Sequence, residues 1–268
     1  MIWLPLIAFA TLLVLAGPVD AQLPACPQDT VRSGTICIDK WEASVWYIPP
    51  APALAQLVNW VKTGNVAGLK GGSGLKGATP VALGVVQLGL SPGDLAAHGC
   101  PETGNGCKNF YAVSIPGVTP AAFITWFQAA AAARNSAKRL PTNQEWQVAA
   151  LGTPDGSPCN VGDGAGQVVN TGTSTGCVSD VGAFDMVGNL WEWVADWVPG
   201  TTGCVDPIFP GTGDHNCLAP ISPSIGAAAI MRGGLFNHGE FGRAGVFAIS
   251  AENSPSHSEE SIGFRGAR

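Results

Sequence analysis

The sequence predicts a loop-rich α+β domain that is stapled by disulfide bonds. Gly and Pro are abundant, at 36 and 21 of 268 residues, and only 12% of the residues are charged. Short runs typical of strands outnumber the helical signals along the chain. The cysteines number eight, and an even number in an exported chain favours a set of disulfides.

The N-terminal residues indicate an export signal. Ile2–Ala16 is almost wholly apolar, and small residues follow it up to Ala21. Because this run is too short to span a bilayer comfortably, we expect a signal peptide over residues 1–21 and a domain over 22–268. Since no Lys or Arg precedes the run, an uncleaved N-terminal anchor stays the alternative. We expect an exported protein in the periplasm, on the cell surface or secreted, with no stable membrane span.

The cysteines fall into four neighbouring pairs along the chain. We favour pairing within each neighbouring couple, which closes short loops rich in Gly, Pro, Asn or Asp, although sequence alone leaves the connectivity open. A zinc site is disfavoured, because no CxxC occurs and the four histidines are scattered. The expected pairs are Cys26 with Cys37, Cys100 with Cys107, Cys159 with Cys177, and Cys204 with Cys217.

Charge and glycine patterns exclude two classes of ligand. The formal net charge is −6 and no basic stripe occurs, so we expect no nucleic-acid partner. The Gly-rich run 68–78 contains Lys70 and Lys76, but Gly follows each of them where a phosphate-binding loop needs Ser or Thr. We therefore interpret that run as a flexible loop.

The first half of the chain predicts a strand and two helices. Alternation over Cys37–Trp46 favours a strand, and residues 49–62 favour a short amphipathic helix. A longer helix is expected over Pro120–Ala137, because Thr119 suits the N-cap and Pro the first helical position.

Two further elements follow. Thr142 and Glu145 form a capping-box pattern that predicts the start of the next helix. Trp191 and Trp193, spaced by two, predict a strand with one buried face.

Asn189 and Glu192 are candidate calcium ligands. Hard cations take oxygen ligands, and both side chains offer oxygen beside a strand rich in tryptophan. The alternative, which we favour, is that Asn189 makes a tight turn and Glu192 pairs with an arginine. No other cofactor is expected.

Four sequence blocks resemble the formylglycine-generating-enzyme (sulfatase-modifying factor) domain family. They are KRLPTNQEW from Lys138, DMVGNLWEW from Asp185, RGG from Arg232 and GFR from Gly263. The resemblance covers roughly residues 30–268 and implies a C-type-lectin-like fold of the formylglycine-generating-enzyme subtype. Members that oxidise cysteine hold copper with two cysteines between the last two blocks, where this chain has none. Because copper–thiolate sites need sulfur and His238 and His257 alone make no iron site, we expect no enzyme activity.

The segment 232–268 also resembles the C-terminal variable region of proteins diversified by retroelements. In such systems adenines of a template are scrambled, so residues encoded by Asn codons vary while a scaffold is kept. The resemblance implies that Arg232, Gly233, Gly234, Gly245, Val246, Phe247, Ala248, Gly263, Phe264 and Arg265 are scaffold. The implied ligand-binding residues are Phe236, Asn237, His238, Glu240, Phe241, Ser250, Glu252, Asn253, His257 and Ser261.

Four glutamates depart from this pattern. Glu240, Glu252, Glu259 and Glu260 cannot arise from an AAC codon by adenine changes alone, so their template codons differ or they are not varied.

The sequence therefore predicts noncatalytic recognition of an unknown ligand, a protein or another cell-surface molecule. Phe236 and Phe241 are the expected aromatic anchors. A fixed binding module and a relative of the formylglycine-generating oxidases stay as alternatives.

Overall fold

Short strands and short helices alternate along the chain in the computed structural model, which describes residues 23–162, 166–200, 203–204, 212–220, 222, 226–237 and 244–268. The strands of these ranges are β1 (Thr30–Ser33), β2 (Ile36–Asp39), β3 (Ala43–Tyr47), β4 (Val86–Leu88), β5 (Phe110–Ser114), β6 (Trp191–Val198), β7 (Asn216–Cys217), β8 (Ala228–Arg232), β9 (Ile249–Ser250) and β10 (Ile262–Phe264). The α-helices are α1 (Ala55–Thr63), α2 (Val66–Leu69), α3 (Ser73–Lys76), α4 (Ala78–Ala82), α5 (Asp94–Ala97), α6 (Trp126–Asn135) and α7 (Asn143–Ala150). The predicted signal peptide lies outside the described residues.

A mixed sheet with strand order β10-β6-β8-β9-β7 carries the C-terminal part of the chain. Within it β10 lies parallel to β6, and β8 lies antiparallel to β6 on the other side. The pairing sets Gly263 opposite Glu192, and Arg232 also opposite Glu192. The two ends of the segment 232–268 therefore flank the same strand. A second sheet has the order β4-β3-β5, and β1 and β2 form a hairpin.

The largest core cluster lies between helix α6 and strands of both larger sheets. Trp193, Phe110 and Phe264 are nearly or fully buried in it. The alanine run of α6 contributes Ala129 and Ala132, both fully buried. Such small side chains let a helix approach its neighbours closely, and bulky aromatic residues fill the space that remains. This packing stabilises the part of the domain that positions β6 and β10.

Several sequence predictions are confirmed. Thr142 caps α7, and its hydroxyl and the Glu145 side chain form the expected reciprocal capping box. The strand with Trp191 and Trp193 is β6, but the prediction of one buried face is wrong, because Glu192 and Val194 on the other face are buried as well. All four disulfides join the expected neighbours, namely Cys26–Cys37, Cys100–Cys107, Cys159–Cys177 and Cys204–Cys217. In the parts of the chain that the structure describes, no helix has the length and apolar character needed to cross a membrane.

The predicted helix over Pro120–Ala137 is wrong at its start. Helix α6 begins at Trp126 and is capped by Thr125, whose hydroxyl accepts the Gln128 N–H. The residues before it cannot be helical, because Phe123 has a φ of 48° and its N–H donates to Glu259 O at 2.9 Å. The start of α6 is therefore set by the tertiary contact between Phe123 and Glu259, and not by the proline that suits the first helical position.

Two other local predictions are corrected. The Gly-rich run 68–78 is not an irregular loop, because it contains α3 and parts of α2 and α4 and buries Leu69 and Leu75. The strand predicted over Cys37–Trp46 is split into β2 and β3, since the chain bends between them at Lys40. The Lys40 carbonyl accepts the N–H of Phe184 at 2.8 Å, which fixes this bend.

Candidate functional site

Two buried brackets, Arg232–Gly234 and Gly263–Arg265, hold the ends of the C-terminal segment. Arg265 is fully buried, and its guanidinium pairs with Glu192, with Nη2–Oε1 at 2.5 Å and Nε–Oε2 at 2.7 Å. It also donates to the carbonyl of Asp39 at 3.0 Å. Paired, well-bonded charges of this kind tolerate burial, whereas an unpaired one would not.

A second ion-pair network anchors the residues that follow Arg265. Lys138 Nζ lies 2.6 Å from Asp39 Oδ1 and 2.7 Å from Asp29 Oδ2. Arg268 Nη1 reaches Asp29 Oδ1 at 2.8 Å, and Gly266 N–H donates to Asp39 Oδ2 at 2.7 Å. Burial raises the pKa of Asp39, and the neighbouring Lys138 opposes that shift.

The first bracket is fixed by Arg232. Its guanidinium carbon lies 4.9 Å from the Trp146 ring centroid, and its Nη2 donates to Val246 O at 3.0 Å and to Gln147. Burial lowers the pKa of Arg232 to about 10, and the carboxylate of Asp214 opposes this shift. Arg232 therefore stays charged at neutral pH and ties β8 to the residues that follow the bracket.

Between the brackets, the structure places two concavities against the described part of the segment. The larger one, here the cleft, has a volume of about 420 Å³ and is lined by Phe123, Gln167, Phe236 and Glu260 among others. Phe123 holds its left-handed φ of 48° at this site. Such a backbone conformation is costly for a bulky residue and occurs preferentially at functional sites.

The smaller concavity, here the pocket, has a volume of about 180 Å³. Its walls carry the apolar side chains of Trp191, Met231 and Leu235 and the polar side chains of His215, Ser250, Glu252, Asn253 and Glu259. The edge of the Trp191 ring meets His215, with the ring centroids 5.8 Å apart and an interplanar angle of 73°. This contact holds the imidazole in place at the wall of the pocket.

The cleft and the pocket lie on either side of the same two chain segments. Leu235 and Glu259 line the pocket, whereas their successors Phe236 and Glu260 line the cleft. Adjacent residues of one chain thus supply both walls. We refer to the two neighbouring concavities together as the recognition face, to which residues between the brackets contribute part of each wall.

The structure brings some of the predicted ligand-binding residues to this face. Ser250 and Ser261 are buried, and Ser250, Glu252 and Asn253 line the pocket. Asn237 is exposed, and His257 Nε2 lies 3.4 Å from Glu259 Oε2 near the pocket. The predicted ligand-binding residues His238, Glu240 and Phe241 lie outside the described residues.

Two phenylalanines have the opposite exposure to that expected. Phe236, predicted as a solvent-facing anchor, is only 6% exposed and belongs to the main core cluster, with one part facing the cleft. Phe247, predicted as scaffold, is 41% exposed. The Phe236 N–H donates to Asn189 O at 3.1 Å, which pulls that residue inward. Its role in ligand contact stays a prediction.

The candidate calcium ligands meet protein donors in the structure. Asn189 Oδ1 accepts from Val169 N–H at 2.9 Å and from Asn160 Nδ2 at 3.0 Å, and its φ of 58° places it in a tight turn. Glu192 accepts from Arg265, as described, and from Trp146 Nε1 at 2.7 Å. Oxygens that face N–H donors are poorly placed to hold a cation, so the geometry corresponds to the turn-and-arginine alternative. The calcium site itself stays an untested prediction.

A cluster of buried carboxyl groups lies behind Asn189. Glu42 is fully buried and accepts from Asn189 Nδ2 at 2.5 Å. Burial, together with the charges of Asp185 and Glu192, holds the pKa of Glu42 well above its usual range. Burial also raises the pKa of Asp185 to about 6, opposed by the N–H of Gly172. These acids face the interior and take no part in the recognition face.

A family model for the sulfatase-modifying factor enzyme 1-like domain matches residues 53–268. The chain belongs to this family. It has the family's α+β, C-type-lectin-like fold of the formylglycine-generating-enzyme subtype, with loops stapled by disulfides.

Curated relatives resemble part of the chain. The formylglycine-generating enzyme of Streptomyces coelicolor is 33% identical over 172 residues, which are 55% of this chain and 52% of that protein. Hercynine oxygenase of Mycolicibacterium smegmatis is 31% identical over 144 residues, or 44% of this chain and 33% of that protein. The chain thus matches about half the length of the first of these relatives and a smaller share of the second.

Solved structures show a weaker likeness. The Major Tropism Determinant U1 variant is 20% identical with a TM-score of 0.48, and the alignment covers 90% of this chain and 52% of that one. Treponema denticola variable protein 1 is 19% identical with a TM-score of 0.38, covering 56% of this chain and 71% of that one. Scores of this size carry no argument about function.

The copper site of oxidising members of the sulfatase-modifying factor family does not fit this chain. A copper–thiolate site needs free thiolates. All eight cysteines are paired in disulfides, and none lies between the brackets. The donor set that the resemblance would require is therefore missing from these positions.

Sequence reasoning missed several residues of the recognition face. In the sequence His215 is one of four scattered histidines, and the spacing of Trp191 and Trp193 predicts only a strand. Both lie outside the segment 232–268, and no local spacing connects them with it. The parallel pairing of β7 with β9 brings His215 to the segment, because its carbonyl accepts the Ile249 N–H at 2.8 Å. Long-range pairing of this kind leaves no periodic signal.

Proposed function

We propose that this chain is an exported, noncatalytic ligand-binding protein whose segment 232–268 forms a recognition surface diversified by a retroelement. The ligand is a protein or another molecule on a cell surface. Binding is noncovalent and takes place on the face formed by the cleft and the pocket, on a scaffold whose shape is fixed by disulfides and buried ion pairs.

The observation that carries the proposal is the contrast between the brackets and the residues between them. All three bracket residues Arg232, Phe264 and Arg265 are buried: Arg232 is held by hydrogen bonds and the Trp146 ring, Phe264 by core packing and Arg265 by its ion pair with Glu192. By contrast, Glu252 and Asn253 are partly exposed and line a concavity. A segment that must vary without unfolding its domain needs such a division, because surface changes usually alter the free energy of unfolding by less than about 0.5 kcal/mol.

The chemistry of the described face supports recognition. Asn253 offers adaptable hydrogen bonds in the pocket, whose wall includes the apolar ring of Trp191, and Asn237 is an exposed amide of the same segment. This mixture of polar and aromatic groups is typical of antibody-like paratopes. The paired cysteines agree with an oxidising compartment, as export requires.

A fixed binding module and an oxidase are the alternatives. The curated relatives named as enzymes favour the oxidase, whereas the cysteine pairing disfavours the copper–thiolate version of it. Conversion of a cysteine-containing peptide to its aldehyde by the purified protein, followed by mass spectrometry, would support the oxidase and contradict the proposal.

The decisive experiment is to sequence the DNA that flanks the gene in several isolates of the source organism. We expect a near-copy of the region coding for residues 232–268 that differs from it chiefly at adenines. The mismatches should fall in codons such as those of Asn237 and Asn253 and spare those of Arg232, Phe264 and Arg265. The bracket codons act as the internal control.

The absence of a near-copy, together with an invariant segment among isolates, would make the chain a fixed binding module. Mismatches spread equally over bracket and non-bracket codons would also contradict the proposal, because ordinary drift and not directed diversification produces that pattern.

A further inference from the structure

His215 is a buried polar group of the pocket whose ring nitrogens lack a hydrogen bond. The residue is 6% exposed, and neither Nδ1 nor Nε2 makes a hydrogen bond within the described parts of the chain. Nε2 lies 3.1 Å from Glu252 Oε2, which is ion-pair distance, but the atoms are not aligned for a hydrogen bond. Nδ1 has neither a hydrogen bond nor an ion-pair neighbour among the described residues, and a buried polar atom of this kind destabilises the folded state unless a ligand meets it.

The groups around His215 are mainly acceptors. The pocket is lined by the carboxyl groups of Glu252 and Glu259, the amide of Asn253 and the hydroxyl of Ser250. The Ser250 hydroxyl donates to Glu252 Oε2 at 3.4 Å, so its own oxygen keeps the capacity to accept. With Nε2 beside the Glu252 carboxylate, the imidazole tautomer that carries its proton on Nε2 leaves Nδ1 as one more acceptor. No Lys or Arg is among the described residues that line the pocket.

The size and the walls of the pocket restrict what fits. A volume of about 180 Å³ admits one small group, since pockets for drug-sized ligands run from about 300 to 1,000 Å³. Trp191, Met231 and Leu235 supply an apolar wall that suits a short aliphatic stem. Acidic acceptors next to an apolar wall match a positively charged nitrogen on a carbon chain.

We propose that the pocket binds an alkylammonium group of the ligand, with His215 and Glu252 as its contacts. This inference rests on the proposed recognition function and names the chemistry of one part of the ligand. His215 lies outside the segment 232–268, so it is a contact that diversification of the segment leaves in place. Glu252 lies inside the segment and supplies the charged part of the contact.

The test uses n-butylammonium as the probe and n-butanol as its neutral match. Binding is followed by NMR through the ring signals of His215, which are assigned with the variant His215→Phe. We expect a saturable shift with n-butylammonium, with a Kd on the order of millimolar as befits a very small ligand. No comparable shift is expected with n-butanol.

Two matched variants place the cation. Glu252→Gln keeps the size of the side chain and removes its charge, and should weaken n-butylammonium binding about tenfold, since a bond to a charged group is lost. Glu102→Gln makes the same change at an exposed position outside the pocket and should leave Kd unchanged. Equal shifts from both probes, no saturable shift, or the same Kd for Glu252→Gln and wild type would each overturn the proposal.

The source of the ammonium group is resolved by a second probe. A lysine blocked as the Nα-acetyl amide that binds as tightly as n-butylammonium assigns the group to a protein side chain. If n-butylammonium binds but the blocked lysine does not, the ammonium group belongs to a small free amine. If the flanking DNA holds no template copy but the amine still binds, diversification fails and the pocket stands. If the flanking DNA holds a template copy but the amine does not bind, the ammonium site is contradicted and the proposed diversification stands.

Discussion

Two phenylalanines show that an apolar side chain in the sequence does not by itself indicate whether it lies in the core or on the surface. Phe236 and Phe247 both lie between the brackets, and only their exposed fractions, 6% and 41%, separate core from surface. Nothing in the residues around either position distinguishes them, because the segment has no periodic pattern. Burial here is decided by contacts such as the bond from Phe236 N–H to Asn189 O.

The two phenylalanines make a matched pair for a stability test. Phe236→Ala should lower the free energy of unfolding by about 3 kcal/mol, because it leaves a cavity in the main core cluster. Phe247→Ala should lower it by less than about 1 kcal/mol, because that side chain is already partly in water. Chemical denaturation monitored by tryptophan fluorescence gives both values. A loss at Phe236 as small as that expected for Phe247 would show that Phe236 is a surface residue, as the sequence predicts.

At the scale of elements, the sequence predicted what short-range chemistry decides. Helix α7 begins at its capping box, which is formed by residues close in sequence. The Thr142 hydroxyl accepts the Glu145 N–H, and the Glu145 carboxylate accepts the Thr142 N–H. Strand β6 follows from the spacing of its tryptophans, and each disulfide joins cysteines that are close in sequence. The start of α6 escaped prediction, because a contact from Phe123 to Glu259 sets it.

The recognition face escaped prediction for a similar reason. The family blocks located the brackets and hence the segment that builds the face. The pocket, however, depends on β7 lying beside β9, which brings His215 and Ser250 together. A pairing between distant strands follows from the whole fold, and it cannot be read from either strand alone.

The start of α6 can be tested directly, since the sequence and the structure name different capping residues. Thr125→Ala should destabilise the protein by about 1 kcal/mol, because the Gln128 N–H loses its acceptor. Thr119→Ala, at the exposed position first expected to cap the helix, should change stability by less than about 0.5 kcal/mol. Thermal unfolding followed by circular dichroism compares the two. A larger effect at Thr119 would restore the longer helix.

For the whole molecule, the buried carboxyl groups couple stability to pH. Burial raises the pKa of Asp185 to about 6 from the value of 3.8 expected in the unfolded chain. Between these values the folded state binds more protons than the unfolded state, so stability decreases as pH rises through this window. Burial raises the pKa values of Glu42 and Asp39 as well, and both contribute in the same direction.

Asp185→Asn isolates one of these contributions. The amide oxygen can still accept the N–H of Gly172, which lies 2.7 Å from Asp185 Oδ2, but it has no charge to bury. Relative to wild type, the variant should gain stability as pH rises from about 4 to above 6, by up to about 2–3 kcal/mol. Urea unfolding at both ends of this range measures the gain, with Glu102→Gln as the exposed control. A difference that does not change with pH would contradict the assignment.

The bond from Arg265 to the Asp39 carbonyl joins residues 226 positions apart, and it has a consequence for quality control in the cell. Contacts between such distant residues form late in folding, because long loops must close first. Until β10 docks, one edge of β6 has no partner strand, and open edges invite aggregation and proteolysis. Under the proposed diversification, we expect each new version of the segment between the brackets to face this step, so that proteases clear versions that dock β10 slowly.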